Sequence, residues 1–408
     1  MELLGMKCEW PIYTVQQLID MGMIEPPMDG NHGSNHPKAA EYVSKGIPFI
    51  MANDLVDGKI DYHNCAFITK QRATTLRKGF ANPGDILLTH KATIGRTAIV
   101  SSEYDTIVLT PQVTYYRVVK GINRRYLKYY FDSNTFQKIF LNWAGAGSTR
   151  AYLGITAQRK LPIVVPPLDI QDIIADICGS LDDKIELNNK INNNLKEQAW
   201  SIFTKKFLNI VQLPEGWKKG NLLDIANYTN GLAMQKYRPR ESQKGIPVLK
   251  IRELRQRAYD ENSERCSSSI KPEYIIKYGD ILFSWSGSLL VDIWCGGLCG
   301  LNQHIFKVTS TTYEKWFYYL WTAHHLDRFI AIAADKTTTM GHIKREELAK
   351  VEVLIPSNED YKKINSVMKP LFDTIIANRL ISQKLVALRD TLLPKLMSGE
   401  VDVEQLGR

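Results

Sequence analysis

The 408-residue sequence lacks the signatures that would mark it as an enzyme or a membrane protein. It has no GxxxxGK loop followed by Ser or Thr, which argues against an ATP-driven motor, and no GxGxxG follows a strand-like run. It also has no Asn/Asp-Pro-Pro-Tyr tetrad of the amino-methyltransferases. Glu25-Pro26-Pro27-Met28 and Val165-Pro166-Pro167-Leu168 have the prolines but neither the polar residue nor the aromatic that would grip a target amine. No polar loop offers an acid-base pair with convincing spacing. Long apolar runs are missing too, since a stretch such as Ile163–Leu168 is far short of the ~20 residues that span a bilayer. The N-terminus MELLGMKCEW has no basic segment followed by an apolar one, so no secretion signal is expected. The six cysteines (Cys8, Cys65, Cys178, Cys266, Cys295, Cys299) are scattered, which points to reduced thiols and a cytoplasmic location. Cys295 and Cys299 could supply two zinc ligands, but no second pair follows, so small buried residues and no metal are expected there. His32 and His36 lie in a Gly/Asn-rich loop and read as solvated.

With 44% apolar and 23% charged residues the chain has a soluble, globular composition, and its length calls for two or more domains. A net charge of +9 is compatible with a nucleic-acid partner.

The chain also repeats itself. GIPFIMANDL at 46–55 returns as GIPVLKIREL 199 positions later. Gly84-Asp85-Ile86-Leu87 returns as Gly279-Asp280-Ile281-Leu282, and Gln112 is matched with Gln303. Further on, Tyr129-Tyr130 answers Tyr318-Tyr319, Val165-Pro166 answers Ile355-Pro356, and Leu181-Asp182 answers Phe372-Asp373. The order is constant while the offset drifts from 199 to between 189 and 191, as loop insertions in a duplicated domain would produce.

Each copy predicts a strand-rich part, then aromatic residues at helical spacing (RRYLKYYFDSNTFQKIF and EKWFYYLWTAHHLDRFI), a strand ending at proline, and a long helix. Residues 170–207 hold no proline and one glycine. In that stretch Leu181, Ile185, Asn188, Ile191, Leu195, Ala199 and Ile202 recur at three- and four-residue steps. Leu371, Ile375, Asn378, Ile381, Leu385, Leu388 and Leu392 do the same in the second copy. A coiled-coil-like seam follows, with Asn188 and Asn378 as register-fixing polar positions. Helices that pack only on their own domains are the alternative. The expected fold is α+β (mixed α/β), with two similar globular domains joined by two long antiparallel coiled-coil-like helices in a pseudo-twofold arrangement. Boundaries are placed at 1–168, 169–208, 209–357 and 358–408.

Candidate contacts for a DNA reader are the polar loops after the two GDIL strands. These are Thr89, His90, Lys91, Thr93 and Arg96 in the first copy and Ser284, Trp285, Ser286 and Ser288 in the second. The strands agree between copies while the loops diverge, as two readers of different sequences would. Thr149 and Arg150, and Thr337 and Thr338, occupy equivalent loops before the closing strands. Residues 236–257 carry eight Lys/Arg against two Glu, with Arg252 and Arg255 as phosphate contacts; Lys70, Arg72, Arg77 and Lys78 are their counterpart. The alternative for both segments is a solvated basic surface.

The repeat order, the tail LRDTLLPKLMSGEV (388–401), LPEGWKKGNLLDIA (213–226), Glu9-Trp10, the two GDIL motifs and LDDKIELNNKINNNL (181–195) together resemble the specificity subunit of type I restriction-modification enzymes. One departure is KCEWPIYTVQQL, which opens the first copy without the Leu-Pro-x-Gly-Trp start of the second. The resemblance implies a non-catalytic subunit whose two target recognition domains each read half of a bipartite double-stranded DNA site. It implies two modification (methyltransferase) subunits as partners, and two restriction subunits where the system has them, with no membrane association. S-adenosylmethionine, ATP and Mg would sit on those partners, and no cofactor on this chain. The competing reading is a structural protein that bridges two identical partners through its helices without reading DNA.

Overall fold

The GDIL motif shows how the sequence builds each repeat. Gly84 and Gly279 take φ of 91° and 76°, a left-handed turn that glycine adopts without steric cost. The next residue closes the turn: Asp85 Oδ2 accepts from Asn82 N at 2.7 Å, and Asp280 Oδ2 accepts from Lys277 N at 2.8 Å. Each carboxylate also pairs with a cation on the adjoining segment, Asp85 with Arg117 and Asp280 with Lys307, both at 2.8 Å. The strands that follow, Ile86–Thr89 and Asp280–Ser284, are buried on both faces except at Asp280.

The computed structural model describes residues 10–145, 151–242, 244–335 and 342–401. It divides into two compact units, Met1–Asp183 with Ala387–Arg408, and Lys184–Val386. In the first unit, Ile12–Thr14 pairs antiparallel with the closing strand Pro162–Val164. A four-stranded antiparallel sheet has the order Met28–Asp29, Val113–Tyr116, Ile86–Thr89, Thr97–Ile99. A second sheet has the order Ala66–Ile68, Ile47–Ile50, Ile107–Leu109, Phe80–Ala81, with one parallel pair that sets Val108 opposite Phe49.

The second unit repeats this plan. Lys218–Asn221 pairs with Glu352–Ile355. One sheet has the order Asn227–Asn230, Ile305–Thr309, Asp280–Ser284, Leu290–Trp294. The other has Arg265–Cys266, Ile246–Leu249, Cys299–Leu301, Ile275–Ile276, again with one parallel pair, Val248 opposite Gly300. The duplicated Gly-Ile-Pro run is thus the strand that enters the parallel pairing of its sheet. Gly30 and Gly231 mark another equivalence. A Cβ on Gly30 would lie 1.8 Å from the Leu109 carbonyl oxygen, and one on Gly231 would lie 2.1 Å from that of Asn302.

The aromatic segments are helical, as their spacing predicts, and each is divided into two helices. Arg124–Asp132 and Asn134–Trp143 meet at Ser133, whose hydroxyl accepts from Phe136 N and starts the second. Lys315–His324 and Leu326–Ala334 meet at His325. Tyrosine hydroxyls tie the first pair to the closing strand, Tyr126 to Val164 O and Tyr130 to Pro162 O, both at 2.9 Å.

The two long helices are Leu168–Phe203, continued by a wider turn over Thr204–Leu208, and Asn358–Met397. Each unit buries one end of each helix. The first unit's core takes Ile170, Ile174 and Cys178 from one and Leu393, Leu396 and Met397 from the other. The second takes Ala199, Phe203 and Phe207, with Met368, Phe372 and Ile375. Arg389 donates to Asp182 at 2.6 Å in the first unit. In the second, Asn188 donates to Ser382 at 3.1 Å and Asn378 to Asn192 at 3.0 Å, so the helices run antiparallel.

The seam differs from the apolar stripe the spacing predicts. Asn192 is buried while its neighbour Ile191 is 37% exposed, and Ile381 and Leu388 are also exposed. Leu181, Leu195, Leu371, Leu385 and Leu392 are half-buried and Ile375 is buried. The expected positions Asn188 and Ala199 are buried as well, and amides and a hydroxyl join the half-buried leucines in the contact along this stretch.

Ionic contacts dock the second helix to its unit. Buried Arg379 donates to Asp292 at 2.9 Å, and Arg257 reaches the other carboxylate oxygen at 2.6 Å. Burial alone would raise the Asp292 carboxyl, but Arg379, Arg257 and Lys196 prevail and hold it below the usual carboxylate range. Removing one partner from a buried pair strands the other charge, so Arg379→Ala should cost about 3–5 kcal/mol. The urea denaturation midpoint reads this; a loss below about 1 kcal/mol would contradict a docking role.

Candidate nucleic-acid interface

Past the GDIL strand, each unit ties three chain segments together with the same backbone hydrogen bonds. In the first, His90 N donates to Gln112 O at 2.9 Å, Leu153 N donates to His90 O at 3.0 Å, and Lys91 bridges to Tyr152. In the second, Trp285 N donates to His304 O at 3.2 Å, Ile343 N donates to Trp285 O at 3.0 Å, and Ser286 bridges to His342. Ala92 and Gly287, one residue further on, both adopt positive φ, 64° and 66°. This frame corrects one match made from sequence. Gln112 stands where the second unit has His304, and Gln303 falls opposite Pro111. Side-chain lettering favoured Gln with Gln; the strand pairing moves the register by one.

The same frame sorts the candidate contacts. Thr89 and His90 are fully buried, as is Ser284, and Ser286 is 5% exposed. Their placement corrects the expectation that they touch DNA, because a side chain closed off from solvent cannot reach a base edge. Thr89 Oγ1 instead accepts from Arg96 N at 2.9 Å, and Ser284 Oγ accepts from Leu290 N at 2.9 Å and donates to Ser288 O at 2.7 Å. These hydroxyls shape the loops. Lys91, Arg96 and Ser288 are exposed, while Thr93 and Trp285 are half-buried. Arg96 donates to Leu55 O at 3.0 Å, and Trp285 Nε1 donates to Asn230 at 2.9 Å. Thr149, Arg150, Thr337 and Thr338 lie outside the described residues.

The basic segments are less free than their sequence implies. Arg252 donates to Glu253 at 2.7 Å and to Asp260 and Ser263 at 3.3 Å. Arg72 is held by Glu41, and Lys78 by Asp29. Arg255 and Arg77 are exposed and make no ion pair among the described residues.

The structure also places side chains that sequence reading passed over. A cleft of about 410 Å³ opens beside Lys91 and Gln112, with Thr110, His32, His36 and Tyr42 on its walls. His32 is exposed, as expected, and its ring nitrogen also meets the Asp29 carboxylate at 2.7 Å. The buried Thr110 hydroxyl has no protein partner, and neither does His90 Nε2. Tyr152 and His342 arrive beside the loops from 62 and 57 residues downstream of His90 and Trp285, which sequence spacing alone could not reveal. They meet those rings at 5.6 Å and 6.3 Å.

Comparison with known proteins fits this geometry. The model of the type I restriction modification DNA specificity domain matches residues 23–197 and again 214–386. The chain belongs to that family and carries its domain twice. The type I restriction enzyme MjaIX specificity subunit of Methanocaldococcus jannaschii is 27% identical, over 97% of this chain and 94% of its own length. The EcoKI specificity subunit of Escherichia coli is 24% identical, over 88% of this chain and 83% of its own. The crystal structure of the S subunit of the M. genitalium type I restriction-modification system shares the fold, with a TM-score of 0.55 and 13% identity over 96% of each chain.

Burial lowers the His90 imidazole from an ordinary 6.5 to about 4. Its folded form therefore resists the proton that the unfolded chain accepts. Stability should be unaffected above pH 6.5, fall as pH drops from 6.5 toward 4, and level off below, a loss on the order of 3 kcal/mol. Comparing the pH slope of unfolding for wild type and His90→Gln isolates this group; equal slopes would contradict its burial as a neutral ring.

Proposed function

We propose that this chain is the DNA sequence-specificity subunit of a type I restriction-modification complex, and that each unit reads one half of a bipartite duplex site. The observation that carries the reading is the double match to the DNA specificity domain on two units with one strand-end frame and divergent side chains. The subunit itself is non-catalytic. The helix pair joins the readers and docks two modification subunits, with two restriction subunits added where the system has them. S-adenosylmethionine, ATP and Mg belong to those partners. The complex works in the cytoplasm, where its DNA is; among the described residues no helix is long and apolar enough to cross a membrane.

DNA retention that falls steeply with salt separates this reading from a bridging protein that ignores DNA. Within it, Arg255 is the free phosphate contact and Arg252 a brace for its own loop. Arg255→Ala should weaken binding to all duplexes alike and lower the salt slope by about one unit. Arg252→Ala should leave the slope unchanged. Filter binding across a salt series measures both, and an Arg255 variant that changes the preferred sequence at constant slope would make it a base reader instead.

A further inference from the structure

The two units agree in backbone where they differ most in side chain. Four positions are fixed by the same hydrogen bonds and bridges, and each changes chemical character between units. His90 becomes Trp285, Lys91 becomes Ser286, Gln112 becomes His304, and Tyr152 becomes His342. Unconstrained surface loops would diverge in backbone too. Here the frame is kept and only what it presents is exchanged.

In the first unit burial divides the four positions into two layers, whereas in the second Trp285, His304 and His342 are all half-buried and Ser286 is buried. His90 is closed off from solvent and Trp285 is half-buried. Each is anchored by a polar bond, His90 Nδ1 to Leu153 O at 3.1 Å and Trp285 Nε1 to Asn230 at 2.9 Å. In the first unit the other three positions lie outward. Lys91 and Tyr152 are exposed, with the ammonium 5.9 Å from the Tyr152 ring centre, and Gln112 is half-buried at the mouth of the cleft. Gln112 Oε1 accepts only a long 3.4 Å bond from Ala52 N, which leaves its amide group usable. In the second unit His304 and His342 are half-buried around Trp285.

We propose that Lys91, Gln112 and Tyr152 in the first unit, and His304 and His342 in the second, are the specificity-determining side chains of the two half-sites, with His90 and Trp285 as positioning residues behind them. The proposal rests on the reading of the chain as a DNA specificity subunit and deepens it. The first set is rich in donors and suits the major-groove edge of purines. A lysine matches guanine O6 and N7, and a glutamine amide matches adenine N6 and N7.

The test is selection from a random-sequence duplex library by the assembled complex, followed by sequencing. Lys91→Ala with Gln112→Ala should relax one or two purine positions of one half of the selected motif by roughly 5- to 150-fold each, leaving the other half intact. His304→Ala should relax only that other half. Gln112→Glu, which keeps the shape but only accepts hydrogen bonds, should move its position from adenine toward cytosine. Selected motifs identical to wild type would overturn the proposal. So would uniform weakening with a shallower salt slope, which would make these residues phosphate contacts. A wild-type complex that selects no two-part motif would overturn the underlying reading instead.

Discussion

The structure depends on a small knot of backbone hydrogen bonds at the end of the GDIL strand. The residue after that strand, His90 or Trp285, donates to the turn at Gln112 or His304 and accepts from Leu153 or Ile343. One peptide unit thereby fixes three segments that lie far apart in sequence. Backbone groups satisfy each other here whatever the side chains are, so the bonds tolerate exchange of every side chain around them. That tolerance lets a duplicated domain keep its architecture while its reading surface diverges.

The long helices impose a second constraint. Their ends belong to the cores of the two units and must stay apolar, as Ile174 and Phe203 are on one helix and Leu396 and Phe372 on the other. Between those ends polar pairs join half-buried apolar side chains in the contact. Asn188 with Ser382 and Asn192 with Asn378 satisfy each other only in one register, and a slip would leave buried amides unpaired at a cost of about 1–3 kcal/mol each. Leucines at those places would bind more strongly and specify less.

The duplication, the GDIL strands, the long helices and the family were legible because each rests on local pattern: Gly-Asp before an apolar run, a three-four repeat, and an ordered set of matches. The break of each aromatic segment at Ser133 or His325 was hidden, since apolar spacing carries through it. The candidate site was legible as a loop but not as side chains. Thr89, His90, Ser284 and Ser286 have the chemistry of DNA contacts, yet strand pairing turns them inward. Gln112 and His304 come from a different turn, and Tyr152 and His342 from beyond a helix pair. Only the folded chain brings them to the loop. Arg252 shows the same limit for charge: Glu253 and Asp260 commit it to its own unit, which a count of basic residues cannot register.

The central claim is that each unit reads its own half-site through its strand-end frame. Amide hydrogen exchange on the assembled complex tests it most directly, with three duplexes: the full selected site and the two in which one half is scrambled. The full site should slow exchange across 91–96 and 110–113 in the first unit and across 286–290 and 302–305 in the second. Scrambling one half should release one of these sets and leave the other protected. Protection that vanishes from both units together, or that never reaches either strand end, would contradict the account.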